Sequence, residues 1–481
     1  VKKMIISKDH IFKISKNVLP FSDAASSHFS LLQLLRLSLF QVSVGMATVM
    51  LAGTLNRVMI VELLVPASLV AVMIAIPVLI APLRTFYGHK SDTYRSFIGW
   101  KRIPYMWFGS LFQFGGLAVM PFAIIILSGD QSVGPSWAGE VLVAIAFLFT
   151  GIGMHITQTV GLALAADRAT KETRPRVVAL LYFMFLLGIG VSAIVIGALL
   201  ADFSKLRLIQ VVQGSAVLTL VLNLIAVWRQ ERIIIIKNIT KKSEDRFFTS
   251  WKKFISDRKS NSLIWVVFWG TLAFSMQDVL LEPYGGQILG LSVSDTTILT
   301  GIWALGALFG LALAANNSKK AISSVSNTMT ALLFGIVGFS AIIFSSPMQF
   351  PFLYYLGTLF IGFGAGLFSV SLLIIAMALS SATNLGSGFI LGSWGASQAL
   401  GAGLGIAIGG ILRDIVNKMA LNGYFGSTFE NNAIGYIFVY HLEILLIFIT
   451  LIALGMLSQE LNKREIKNNG QKSFGLTEIP S

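Results

Sequence analysis

The long apolar runs of this 481-residue chain carry few ionisable or ligating side chains, and those few are the first candidates for function. His155 and Gln158 stand three apart in a run that reads as helix, so they share a face. Gly151 lies one turn earlier on that face, and with Gly153 it leaves room beside the imidazole and the amide. The pair can ligate or line a cavity. It can equally hydrogen-bond to neighbouring helices, the commoner use of polar groups inside a bundle. Asp278 and Glu282 stand four apart, again on one face, before Pro283 and Gly285–Gly286 interrupt the helix. They suit a proton relay, a magnesium ligand or a partner-facing site; in the headgroup zone they would simply be hydrated. Asp278 lies deeper and is the stronger candidate. Glu443, with His441 nearby, falls in the first half of the last apolar run, lacks a partner in its own helix and reads as structural. Arg57 and Glu62 frame the first outer loop, and Asn56 and Asn223 read as polar packing groups.

No catalytic constellation accompanies these residues. The chain has no Walker glycine loop, no HExxH zinc helix and no GxSxG elbow. It has no cysteine, which excludes disulfides, thiolate catalysis and Cys-ligated metals. The expectation is a non-enzyme with no resident metal and no covalent cofactor.

The elements that must position the candidates are membrane helices. Hydrophobic residues make up 55% of the chain and charged residues 12%, about half the charged share of soluble domains. Twelve continuous apolar runs, at approximately 36–57, 63–86, 103–127, 138–166, 177–201, 207–228, 262–283, 295–315, 325–345, 351–379, 387–412 and 434–457, can each cross a hydrocarbon layer of roughly 30 Å. Their continuity argues against the alternating pattern of a β-barrel. Of the 36 Lys and Arg, 31 fall in the two tails and the even-numbered loops; Arg57, Lys205, Arg207, Arg413 and Lys418 lie on the other side. This bias places both termini in the cytoplasm. It also accounts for the net charge of +14 without a nucleic-acid partner.

The runs divide into two bundles of six, 36–228 and 262–457, joined by a basic cytoplasmic linker at 229–261. Residues 1–35 read as a cytoplasmic arm rather than a cleavable signal, and 458–481 as a cytoplasmic tail. An internal repeat supports the division. Phe149-x-Gly151-x-Gly153 in the fourth run corresponds to Phe360-x-Gly362-x-Gly364 in the tenth, and Asp202 to Asp414; the spacing is 53 residues in one half and 54 in the other. Between the second and third runs, Gly88, Asp92, Gly99, Lys101 and Arg102 resemble the loop 2–3 signature of the major facilitator superfamily, with several extra residues after Asp92. In such a latch Asp92 accepts hydrogen bonds at a helix N-terminus near Asn384 to Gly388, and the basic residues hold the loop at anionic headgroups. The fold class expected is an all-α polytopic membrane protein, a major facilitator fold of 12 transmembrane helices in two six-helix halves.

Four stretches narrow the resemblance. They are Gly99-Trp-Lys-Arg-Ile-Pro-Tyr105 running on to Gln113-Phe-Gly-Gly116; His155-x-x-Gln158-Thr-x-Gly161 with Asp167 and Arg174-Pro-Arg176; Phe274-Ser-Met-Gln-Asp-Val-Leu-Leu-Glu-Pro-Tyr-Gly-Gly286; and Gly392-Ser-Trp-Gly395 with Gln398. Together they resemble the PucC and LhaA group, the bacteriochlorophyll delivery family, over about residues 30 to 457. The resemblance implies a factor for assembling light-harvesting or photosystem complexes in a thylakoid or bacterial inner membrane. Its partners would be the bilayer, antenna or photosystem subunits, and chlorophyll or a precursor bound transiently. Under that implication His155 and Gln158 are candidate axial ligands for the pigment magnesium, with Gly151 giving room for the ring. The richness in Ile, Lys, Asn and Phe suggests a cyanobacterial member. The alternative from a different class is a proton-coupled secondary transporter of a small solute; a third is a resident photosystem subunit.

Overall fold

The structure, a computed structural model, describes residues 24–25, 29–83, 100–128, 135, 137–170, 173–231, 256–317, 321–382 and 387–469. The helices are α1 (Leu31–Thr48), α2 (Ala67–Ile80), α3 (Ile103–Leu127), α4 (Ala138–Arg168), α5 (Arg174–Leu199), α6 (Lys205–Val227), α7 (Arg258–Ser275), α8 (Leu281–Gln287), α9 (Val293–Asn317), α10 (Ala321–Ser345), α11 (Pro351–Ala382), α12 (Ser387–Leu421) and α13 (Ala433–Asn469). Among the described residues, eleven stretches are long and apolar enough to cross a membrane; α7 and α8 form one of them, and α2 is a shorter apolar twelfth.

The first span begins five residues earlier than hydropathy suggests, because a capping box starts it. Ser30 Oγ accepts from the Gln33 N–H and Gln33 Oε1 accepts from the Ser30 N–H, each at 3.3 Å. It also ends later. Beyond α1 the chain stays helical through π-type stretches Val49–Leu55 and Val58–Glu62. Arg57 is therefore not at an outer loop. It is 3% exposed and donates to Glu62 Oε1 at 2.5 Å and to the Leu291 carbonyl at 3.1 Å.

Two compact units emerge. The first holds α1, α3 to α6 and residues 291–304; the second holds residues 66–79, α7, α8 and the chain from 305 onward. In the first unit α3 lies along α4, and α1 packs on α5 and α6. Its core includes Leu34, Leu37, Phe40, Met106, Val160 and Leu181. In the second unit α10 lies along α11, and α7 packs on α12 and α13. The glycine repeat has one structural meaning in both units. A Cβ on Gly153 would meet the Gln113 amide nitrogen and, at 2.6 Å, the Gly109 carbonyl of α3; one on Gly364 would meet the Ala331 carbonyl of α10 at 2.7 Å. Each glycine thus permits the close crossing of the third and fourth helices of its half. Trp107, Phe108, Phe112 and Phe122 of α3 face outward, as suits a helix whose solvent is hydrocarbon.

Candidate functional site

The first unit carries two sets of hydrogen-bonded neutral polar groups that meet on α1. Gln113 of α3, fully buried, donates from Nε2 to the Ser43 carbonyl (3.1 Å) and to Ser43 Oγ (3.0 Å) on α1. Ser43 Oγ donates to the Thr219 carbonyl (3.3 Å), and Asn223 Nδ2 donates to Gln113 Oε1 (3.5 Å), so α6 joins as well. From α4, Gln158 Nε2 donates to Gln41 Oε1 at 3.4 Å. Gln41 Nε2 and Asn223 Oδ1 are buried without a hydrogen-bond partner. His155 and Gln158 are half-buried, and Gly151 is buried on the same helix. The structure thus gives Gln158 an interhelical hydrogen bond through its amide nitrogen, and among the described residues its amide oxygen makes none. Sequence reasoning named His155, Gln158 and Asn223 as candidates; it quoted Gln113 only as part of a family stretch and missed Gln41, whose only signal was an amide within an apolar run.

At one end of this unit sits a charged cluster that the sequence reading did not assemble. Glu231 accepts from three successive backbone N–H groups at the start of α3: Lys101 (2.9 Å), Arg102 (2.9 and 3.0 Å) and Ile103 (3.0 Å). A carboxylate there satisfies orphan donors and complements the positive end of the helix dipole. Arg102 Nε donates to Asp167 Oδ2 at 3.1 Å, with Lys101 Nζ 3.8 Å from the same oxygen. Arg168 donates to the Gln230 carbonyl (3.0 Å) and lies 4.5 Å above the Phe29 ring. This corrects the headgroup role expected of Arg102: at 4% exposure it is an internal ion-pair partner. The other latch residues, Gly88, Asp92 and Gly99, lie outside the described residues, as does most of the segment expected to receive Asp92.

The second unit breaks a helix where the sequence did not predict it. The break precedes Pro283 and Gly285–Gly286; it is the 3-10 turn Met276–Val279 between α7 and α8. Pro283 instead occupies the first turn of α8, where its missing N–H costs nothing. Asp278 lies in the turn and Glu282 in the next helix, so they do not share one regular helical face. Gln277, in the turn, donates its backbone N–H to Glu443 Oε1 on α13 at 2.6 Å and its Nε2 to Asp278 Oδ1 at 2.6 Å. Four fully buried tyrosines surround the region: Tyr284, Tyr354, Tyr436 and Tyr440, with the Tyr284 ring 5.6 to 5.9 Å from the other three. Tyr354 Oη donates to the Leu281 carbonyl at 2.6 Å. Below them Arg413 donates to Asp414 Oδ1 (2.7 Å) and Gln287 Oε1 (2.6 Å), and Asp414 Oδ2 accepts the Ser68 N–H at the start of α2 (2.7 Å). The repeat-related Asp202 is exposed, 3.8 Å from Arg207. The two aspartates therefore share a register without sharing a role.

These elements define a polytopic membrane protein of the major facilitator fold. The structure is similar to that of a bacterial homologue of the human lysosomal transporter Spinster, with a TM-score of 0.64 over 89% of this chain and 96% of that one; at 12% identity the likeness is one of fold. Residues 54–461 match the family described as PUCC protein, and the chain belongs to that family. It is 52% identical over 483 residues to a Rhodobacter capsulatus protein described as an uncharacterized protein in the puhA-bchM intergenic region, covering 99% of this chain and 100% of that one. It is 47% identical over 421 residues to Protein PucC of Rhodovulum sulfidophilum, covering 86% and 92%. The composition suggests a cyanobacterial member, whereas these relatives come from Rhodobacter and Rhodovulum.

Proposed function

We propose that this membrane protein serves the assembly of light-harvesting or photosystem chlorophyll–protein complexes by delivering or holding chlorophyll-type pigment, without catalysing a reaction. The observation that carries the proposal is the PUCC family match across residues 54–461, joined to near full-length similarity to a protein named PucC. The candidate holding site is the amide network of the first unit. Bound pigment would bring a magnesium that accepts axial nitrogen or oxygen ligands. His155 offers an imidazole, and Gln158 an amide oxygen that makes no hydrogen bond among the described residues, its nitrogen donating to Gln41. The buried Gln41 Nε2 adds a donor. These groups are neutral, which fits an uncharged macrocycle better than an anionic solute. The chain would work in a bacterial inner or thylakoid membrane with both termini in the cytoplasm, as the basic bias supports.

Deletion tests the proposal. Loss of the protein should lower a chlorophyll–protein complex while pigment synthesis continues, and gently purified protein should show a chlorophyll absorption band. His155→Leu should reduce the co-purified pigment while the protein still inserts. Normal antenna and photosystem levels in the deletion strain, together with impaired uptake or efflux of a solute, would favour a transporter instead.

A further inference from the structure

Glu443 is the carboxyl group in the second unit with the least visible compensation. It is 0% exposed. One oxygen, Oε1, accepts the Gln277 backbone N–H; the other, Oε2, has no partner. It forms no ion pair among the described residues. Arg413 of α12 is committed to Asp414, Gln287 and Tyr436. The ionisable groups facing the region from the other packed elements are Asp278 and Glu282 beside the break, Tyr284 of α8 and Tyr354 of α11. On its own helix stand Tyr436 and Tyr440. Helix α10 contributes none. Among the described residues, no cation therefore faces Glu443.

The orphan atoms around it are informative by type. Besides Glu443 Oε2, Gln277 Oε1 is buried and unpartnered. Both are acceptors, and they belong to two residues already joined at 2.6 Å through the Gln277 N–H. Each residue of this joined pair keeps one acceptor unmet, and a single hydrogen on the carboxyl would give it a donor to offer. The Tyr440 hydroxyl, one turn away, does not supply it, because it too is without a partner.

We propose that Glu443 is a proton-binding site, carrying an exchangeable proton on Oε2 that is donated to Gln277 Oε1. The proton is taken from and returned to water, and no other bond changes. Its place gives it a consequence. Gln277 is in the turn that separates α7 from α8, so a proton on Glu443 adds a second tie across this break, and its loss removes that tie. The site is separate from the pigment reading and stands or falls independently.

Infrared difference spectroscopy of the full-length protein in lipid nanodiscs, across a pH step, tests this. The wild-type spectrum should contain the carbonyl band of a neutral carboxylic acid. Glu443→Gln should abolish the band yet keep the fold, because the amide NH2 can donate to Gln277 Oε1 in place of the acid hydrogen. Gln277→Leu removes that acceptor and should shift the band instead of abolishing it. If the band survives Glu443→Gln, or disappears only in Asp278→Asn, the assignment is wrong. An unshifted band in Gln277→Leu likewise overturns it.

Discussion

Gly153→Ala is the smallest change that should disturb the first unit, and its effect can be worked from the crossing of α3 and α4. The new methyl would meet the Gln113 amide nitrogen, the Gly109 carbonyl at 2.6 Å and Gln113 Cα at 2.8 Å. Van der Waals contact needs roughly 3.5–4.0 Å. All three atoms are backbone, so no side chain can swing aside and the helices must separate by about 1 Å. Overpacking of this kind costs about 1–3 kcal/mol. Separation also stretches the contacts of Gln113 to Ser43, now 3.0 and 3.1 Å, each contributing about 0.5–1.5 kcal/mol. The better helix propensity of alanine returns at most about 1 kcal/mol. The net loss is about 1–4 kcal/mol. Gly115→Ala is the control: it lies on α3, the other helix of this crossing, and its Cβ would meet nothing within 4 Å. Thermal unfolding in detergent, followed by circular dichroism, should show a lower midpoint for Gly153→Ala and an unchanged or slightly higher one for Gly115→Ala. Equal midpoints for the two variants would refute the close-crossing argument.

Glu231→Gln should lower stability by about 1–2 kcal/mol, because charge-assisted acceptance becomes neutral and one oxygen facing N–H donors becomes an NH2; a melting midpoint equal to wild type at low salt would count against the cap. The topology proposal is checked by protease protection. A tag inserted at the exposed Gly426 should lie on the opposite side of the membrane from tags at both termini, and protection of all three together would remove the twelve-span reading.

Hydropathy is a local property, so the spans were legible in the sequence, and the glycine repeat was too. The partners were not, because they are joined by tertiary contacts between distant positions. Glu231 caps a helix 128 to 130 residues before it, and Glu443 receives an N–H from 166 residues before it. The misplaced break shows the reason. Pro283 is the strongest local breaker in its stretch, yet position within a helix decides whether a proline disrupts, and at the first turn it does not. The actual break carries no local signal except that Gln277 and Asp278 are polar; it coincides with a distant carboxylate available to take the Gln277 N–H. A lone glutamate inside an apolar run, with no lysine or arginine within a turn or two of it, was the readable half of that pair. The same limit applies to Arg102, whose charge reads as surface until Asp167 is placed beside it.

The two units differ in the chemistry they place in the membrane. The first is joined by amides and hydroxyls from α1, α3, α4 and α6, groups that hydrogen-bond without carrying charge. Such a network can position an uncharged ligand and costs little to bury when its bonds are made. The second buries carboxyls and tyrosines around a broken helix, with the buried Arg413 already paired. A carboxyl without a cation is suited to a proton and poorly suited to an anionic solute, which it would repel. On the two proposals, holding a neutral pigment and binding a proton would draw on different residues, and neither would require the fixed, unpaired cation that recognition of an anion needs.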